Sequence, residues 1–203
     1  MAYTSFTLED LENDFGVKNK IVELFSEIKT LNPSERLKAD LEEAAELPKR
    51  TEKSKSELIV SPILKEMRRR NDKFFTIYSG ENLNADIERG LNGECDFIIA
   101  KDIGSFEVNY PILQVVEAKR HDLDVGVSQC AAQMIGARIF NERKKRQTPI
   151  IYGCVTTGDD WIFLKLEGDN IFVDTKKYYL SEIENILGVF QEIIDYYKVI
   201  LTK

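Results

Sequence analysis

Histidine and cysteine are scarce in these 203 residues: there is one histidine, His121, and three cysteines, Cys95, Cys130 and Cys154, far apart and without a CxxC pair. That supply argues against a structural zinc site and against a disulfide framework, and the thiols read as small buried apolar groups. Long apolar runs are missing as well. None reaches the roughly 18 residues of a membrane span, and the start, MAYTSFTLEDLEND, lacks the basic-then-apolar order of a signal peptide. A cytoplasmic chain with no membrane contact is expected. Positive charge is not in excess either, since the net charge of -7 argues against a chain that coats polyanions non-specifically. No internal repeat or low-complexity tract is visible.

What is present suits one compact domain, with 43% hydrophobic and 31% charged side chains. The charge is unevenly spread. Residues 49–73 carry nine Lys/Arg against four acids, and 138–156 carry five against one. The first 48 residues instead hold eleven acids and five bases, and residues 74–137 ten and four. Two basic patches beside an acidic middle match a phosphate-binding rim around a metal site; solvated helix faces are the plainer alternative.

Residues 7–46 read as helical throughout, with Thr7 as a first cap and Asn32-Pro33-Ser34-Glu35 as a second helix start with proline at its first position. This gives an acidic helical extension over residues 1–50, ahead of an α/β domain over 51–203. LPKRTEKSK (47–55) reads as a linker or exposed lead-in. In SELIVSPILKEMRRR (56–70) the apolar residues Leu58, Ile59, Ile63, Leu64 and Met67 recur at helical steps, with Pro62 expected to kink or break the helix. After FFTIYSG (74–80), Gly90 and Gly93 bound a loop leading into ECDFIIA (94–100), a strand, and PILQVVEAK (111–119) is another. Their short connection predicts an antiparallel pair. A long helix over 123–143, strands at 149–157, 160–168 and 170–175, and a last helix capped by Ser181 complete a mixed sheet flanked by helices.

Alternation along VVEAK places Glu117 and Lys119 on one side of their strand, at the end of a run of apolar residues. Asp96 enters from the neighbouring strand and is expected to face Glu117. Two carboxylates forced together raise one another's pKa, a conflict that a divalent cation removes. Mg²⁺ (or Mn²⁺) suits hard oxygen ligands and a half-protein, half-water shell, and the Ala118 carbonyl offers a further ligand. A plain cross-strand salt bridge is the bland alternative.

GECDFIIA followed by VVEAKR, with the helix SELIVSPILKEM before and SQCAAQMIGA on a helix after, resembles the PD-(D/E)XK nuclease superfamily, whose core is an αβββαβ, restriction endonuclease-like sandwich. The resemblance covers roughly residues 56–175. EAKRHDLDVGVSQCAAQ is also similar to the nuclease portion of type I restriction enzyme motor subunits. Cys95 stands where the family often has proline. The resemblance implies a metal-dependent nuclease that hydrolyses phosphodiesters, in DNA rather than RNA, by water attack at phosphorus. Asp96 and Glu117 would then hold the metal, and Lys119 would orient the nucleophile or stabilise developing charge. Glu57 would be the acid added by the first core helix, and Gln129 or Gln133 the glutamine after the motif lysine. Arg68, Arg69, Arg70, Lys144 and Lys145 would grip the nucleic acid backbone. The competing expectation is the same fold kept as a non-catalytic module binding nucleic acid or a protein. A two-fold homodimer built on the acidic helices and the apolar last helix is a further one.

Overall fold

The computed structural model describes residues 2–121, 123–146 and 148–201. Its centre is a mixed eight-stranded sheet in the order β1-β7-β6-β5-β4-β3-β2, with β8 attached to β6. The strands are β1 (Lys18–Val22), β2 (Phe75–Asn82), β3 (Glu94–Lys101), β4 (Ile112–Ala118), β5 (Ile150–Thr156), β6 (Asp160–Glu167), β7 (Asn170–Asp174) and β8 (Tyr178–Tyr179). The helices are α1 (Leu8–Phe15), α2 (Glu35–Glu46), α3 (Glu52–Lys55), α4 (Ser61–Arg70), α5 (Leu123–Arg143) and α6 (Ile183–Leu201). Every residue of β4 and β5 is buried, which places this parallel pair at the middle of the sheet. A parallel pair needs a long crossover, and α5 supplies it.

Strand alternation sorts the core into two layers. On one face Ile98, Val115 and Val155 meet α5 through Cys130, Met134 and Ile135. On the other, Phe97, Val116 and Phe163 meet α4 and α6 through Ile63, Leu64, Phe190 and Tyr197. The apolar side of α6, from Ile183 to Tyr197, is thus spent inside the molecule. All three cysteines are free and buried, as their spacing implied. Among the described residues no helix is long and apolar enough to cross a membrane.

Several local expectations are corrected. Residues 7–46 are not helical throughout: Gly16, with φ 68°, ends α1, and Lys18–Val22 forms β1, parallel to β7. The N-terminal extension therefore adds an edge strand to the main sheet. Ser34, not Pro33, opens α2: its hydroxyl accepts the Leu37 N–H and donates to Glu66, with Pro33 lying before the cap. The lead-in at 47–55 contains α3, capped by Thr51. Ser181 does not cap α6, because it lies within a 3-10 turn (Leu180–Glu182) that precedes it. Trp161 and Tyr178 are core residues, whereas Tyr179 is exposed.

Pro62 does not break its helix. It has no N–H to return to the preceding turn, and its ring would strike that turn's carbonyl. The chain widens into a π turn over Ser56–Val60, where the Ser61 N–H reaches the Ser56 carbonyl, and α4 continues from there.

The N-terminus is pinned by Tyr3, whose buried hydroxyl donates to the Leu83 carbonyl at 2.7 Å while its ring lies against Gly136 of α5. A methyl group at Gly136 would strike the Tyr3 hydroxyl and ring. Gly136→Ala is therefore expected to destabilise the fold by about 1–3 kcal/mol, as overpacking does, and a lowered thermal midpoint in calorimetry checks this.

Candidate active site

β4 ends in a charged cluster held almost entirely out of water. Glu117 is 3% exposed and points toward α5. The Lys119 ammonium lies 2.7 Å from Glu117 Oε1 and 2.7 Å from Gln129 Oε1. Gln129 Nε2 donates to the same Glu117 oxygen at 2.6 Å, and Gln133 Nε2 donates to the other at 2.7 Å. One helical turn separates the two glutamines, so both reach one carboxylate, whereas the sequence left the choice between them open. Gly126, one turn earlier, makes this closeness possible: a Cβ there would strike Val155 and lie 2.9 Å from Lys119 Cγ.

Asp96 arrives from β3 at the point where the ladder ends. Backbone pairing of β3 with β4 reaches Phe97 opposite Val116. Beyond it the Asp96 side chain takes over, accepting the Ala118 N–H at 2.7 Å. Its carboxyl group lies near enough to that of Glu117 for the two charges to act on one another. On the other side β2 loosens at Gly80, whose φ of 70° lies in the left-handed region. Asp96 thus borders a groove of about 400 Å³ that also carries Glu52, Lys53, Glu57 and Glu94.

The turn after Lys119 is clamped by α3. Glu52 Oε1 accepts the Arg120 N–H at 3.1 Å, and the buried Lys55 ammonium donates to the Arg120 carbonyl at 2.9 Å. The carboxylate of Glu52 also bears on the Asp96 carboxyl. Both residues fall in the stretch first read as a linker. Their i, i+3 spacing beside a Thr cap was the available signal.

The other residues singled out lie elsewhere or are otherwise engaged. Glu57 shares the groove with Asp96, but its side chain is 65% exposed and its ion pair, at 4.0 Å, is with Lys53. Arg68 donates to the Phe75 carbonyl and pairs with Asp102 at 3.2 Å. Arg69 and Arg70 both bind the buried Glu66, at 3.0 and 2.6 Å. Lys144 sits over the rings of Tyr110 and Phe140, and Lys145 is its neighbour. Roughly 20 Å of helix, at 1.5 Å per residue, separates Gln129 from that end of α5. His121 is exposed beside Arg120.

Among the described residues no group of three or more His, Cys, Asp or Glu forms a ready-made metal cage. The donors at hand are two carboxylates and the Ala118 carbonyl. That set fits magnesium, which characteristically takes one or two carboxylates and leaves the rest of its shell to water and phosphate.

Burial is the first reason that both carboxyls give up their protons less readily than free ones, and mutual repulsion is the second for Glu117, whose pKa is pushed up to about 7. Asp96 is raised as well, by burial and then by the charge of Glu52, against the pull of the Ala118 N–H and Lys119. Between an unfolded value near 4.5 and about 7, the folded chain therefore binds more protons at Glu117 than the unfolded chain does. Stability from this group is complete below that window and falls as pH rises through it, by about 3 kcal/mol in all. Chemical denaturation across pH 4–8 checks this: the wild type loses stability through the window, and Glu117→Gln shows a flatter profile.

Compared with models of known protein families the chain matches none, and no curated protein is significantly similar to it.

Proposed function

We propose that this chain is a divalent-cation-dependent nuclease that hydrolyses phosphodiester bonds, in DNA rather than RNA. The observation that carries the reading is the convergence of two carboxyls, Asp96 and the buried Glu117, with the Lys119 ammonium at the open end of the central strands. A buried pair of like charges is costly unless a cation compensates it. One ammonium is already present, and the surplus acid invites another positive charge. The succession α3/α4, β2, β3, β4, α5, β5 also supports the restriction endonuclease-like αβββαβ reading of the core.

In this reading Asp96, Glu117 and the Ala118 carbonyl hold Mg²⁺ or Mn²⁺. When bound, the cation would neutralise phosphate charge and make an attacking water more acidic. Gln129 and Gln133 fix the rotamer of Glu117, so that its oxygens stay directed at the end of β4. Lys119 holds a positive charge where negative charge grows on the phosphoryl oxygens. The α3 clamp on Arg120 holds the peptide that carries Lys119, which keeps the ammonium from swinging toward solvent.

Plasmid, linear duplex and single-stranded substrates incubated with Mg²⁺ or Mn²⁺ test the enzyme. Wild type is expected to cut, and Asp96→Ala and Lys119→Ala to lose at least about 100-fold in rate. Wild-type cleavage no greater than that of the two variants would remove the enzymatic reading.

A second reading is favoured by one observation: both oxygens of Glu117 already accept hydrogen bonds from the protein. A non-catalytic module, binding nucleic acid or a protein, could keep such a network without any ion. Calorimetric titration with Mg²⁺ separates the two, since the enzyme takes up the ion at the Asp96–Glu117 pair and the inert module does not.

A further inference from the structure

The clusters Arg68–Arg70 and Lys144–Lys145 are the obvious cations in the sequence, yet they are poorly disposed to meet a polyanion at the candidate site. Arg68, Arg69 and Arg70 spend their guanidinium groups on Asp102, Glu66 and backbone carbonyls. Lys144 and Lys145 stand beyond the far end of α5, away from Gln129 and the cluster it joins.

A different set of cations shares the sheet end where Glu117 and Lys119 lie. Register fixes the level: Glu117 is opposite Val155, and Val155 is opposite Ile162. Leu164, two residues further along β6, is opposite Val173. Residues 175–177 therefore continue past β7 at the level of Glu117 and just beyond it. Lys176 and Lys177 are exposed, and Lys176 lies over the Tyr178 ring at 5.3 Å. Arg120 follows Lys119 directly and is exposed. Arg50, also exposed, precedes the Thr51 cap of α3, whose Glu52 binds the Arg120 N–H. Among the described residues, the side chains of Arg50, Arg120 and Lys177 have no hydrogen-bond or ion-pair partner.

Three strand spacings separate β4 from β7, roughly 14 Å at about 4.8 Å each. A nucleic acid strand covers that distance with about four nucleotides at 3.4 Å per residue. Among the described residues, Asp159 and Asp160 stand at the turn between β5 and β6, between the two ends of the rim, and Glu52 lies beside Arg120, while Glu57 and Glu94 line the groove of Asp96.

We infer that the rim formed by Arg50, Arg120, Lys176 and Lys177 is the surface that receives a nucleic acid backbone, and that the strand runs from Lys119 across the ends of β5 and β6 toward Lys177. This rests on the nuclease reading for its choice of partner, and on the register and the unpaired cations for its place.

Fluorescence anisotropy tests it, using the full chain, a fluorescein-labelled DNA duplex and its single strand, and EDTA to prevent cutting. The double variant Lys176→Glu/Lys177→Glu is expected to weaken binding at least about tenfold at about 0.1 M salt and to reduce the salt slope by about 2, one unit for each lost phosphate contact. Arg120→Ala should weaken it by a further few-fold, and Lys144→Glu/Lys145→Glu should bind within about twofold of wild type. Thermal midpoints equal to wild type establish that these exposed substitutions leave the fold intact. The rim is overturned if the Lys176/Lys177 variant binds like wild type, if the Lys144/Lys145 variant loses more affinity than it does, or if wild type binds neither probe. Cleavage measured separately keeps the two claims apart: rim-dependent binding without cutting ends the nuclease reading and leaves the surface standing, and cutting without rim dependence does the reverse.

Discussion

Glu117 carries a carboxyl group into the seam between β4 and α5, where little of it meets water, and the protein surrounds it with one ammonium and two amide donors. Much of the local architecture follows from satisfying that group. A buried carboxylate without partners would be prohibitively costly, so α5 must approach closely enough for Gln129 and Gln133 to reach it. Gly126 permits the approach, because any larger residue there would meet Val155 and the stem of Lys119. Asp96 adds a second acid at the same spot, which leaves the cluster with more negative charge than its single ammonium balances.

The surroundings are arranged to hold this cluster rigid. Ala118 donates to Asp96 instead of continuing the ladder, Lys119 donates its backbone N–H to the Thr156 carbonyl at 2.7 Å, and α3 grips both sides of the Arg120 peptide. Each of these bonds ends a regular element or replaces a ladder bond. Strand ends on rigid sheets are suitable places for reactive groups, since the backbone behind them is fixed while the side chains face an opening.

Much of this arrangement was legible in the residues. The alternation in ECDFIIA and VVEAK located two paired strands and placed Glu117 beside Lys119, and the one-turn spacing of Gln129 and Gln133 put both on one helix face. Other parts depended on distant partners. β1 is short, carries lysines at alternate positions, and owes its existence to pairing with β7 about 150 residues later, so local pattern favoured a helix. α3 is a single turn whose purpose is tertiary, and nothing in 47–55 announced that Lys55 would be buried. The committed state of Arg69 and Arg70 was foreshadowed by Glu66 three and four residues before them, the spacing at which helical ion pairs form.

The charge balance then gives the site its character. Acids gather at Asp96 and along its groove, and unpaired cations lie across the strand ends on the other side, so the cluster stands at a boundary between negative and positive surface. The claim on which the account depends is that the Asp96–Glu117 pair takes up a divalent cation. Crystals soaked in Mn²⁺ and measured for anomalous scattering test it most directly. The account predicts a peak within coordination distance of both carboxyl groups; saturating Mn²⁺ with no peak there, or with a peak that only one of the two carboxyl groups reaches, would contradict it.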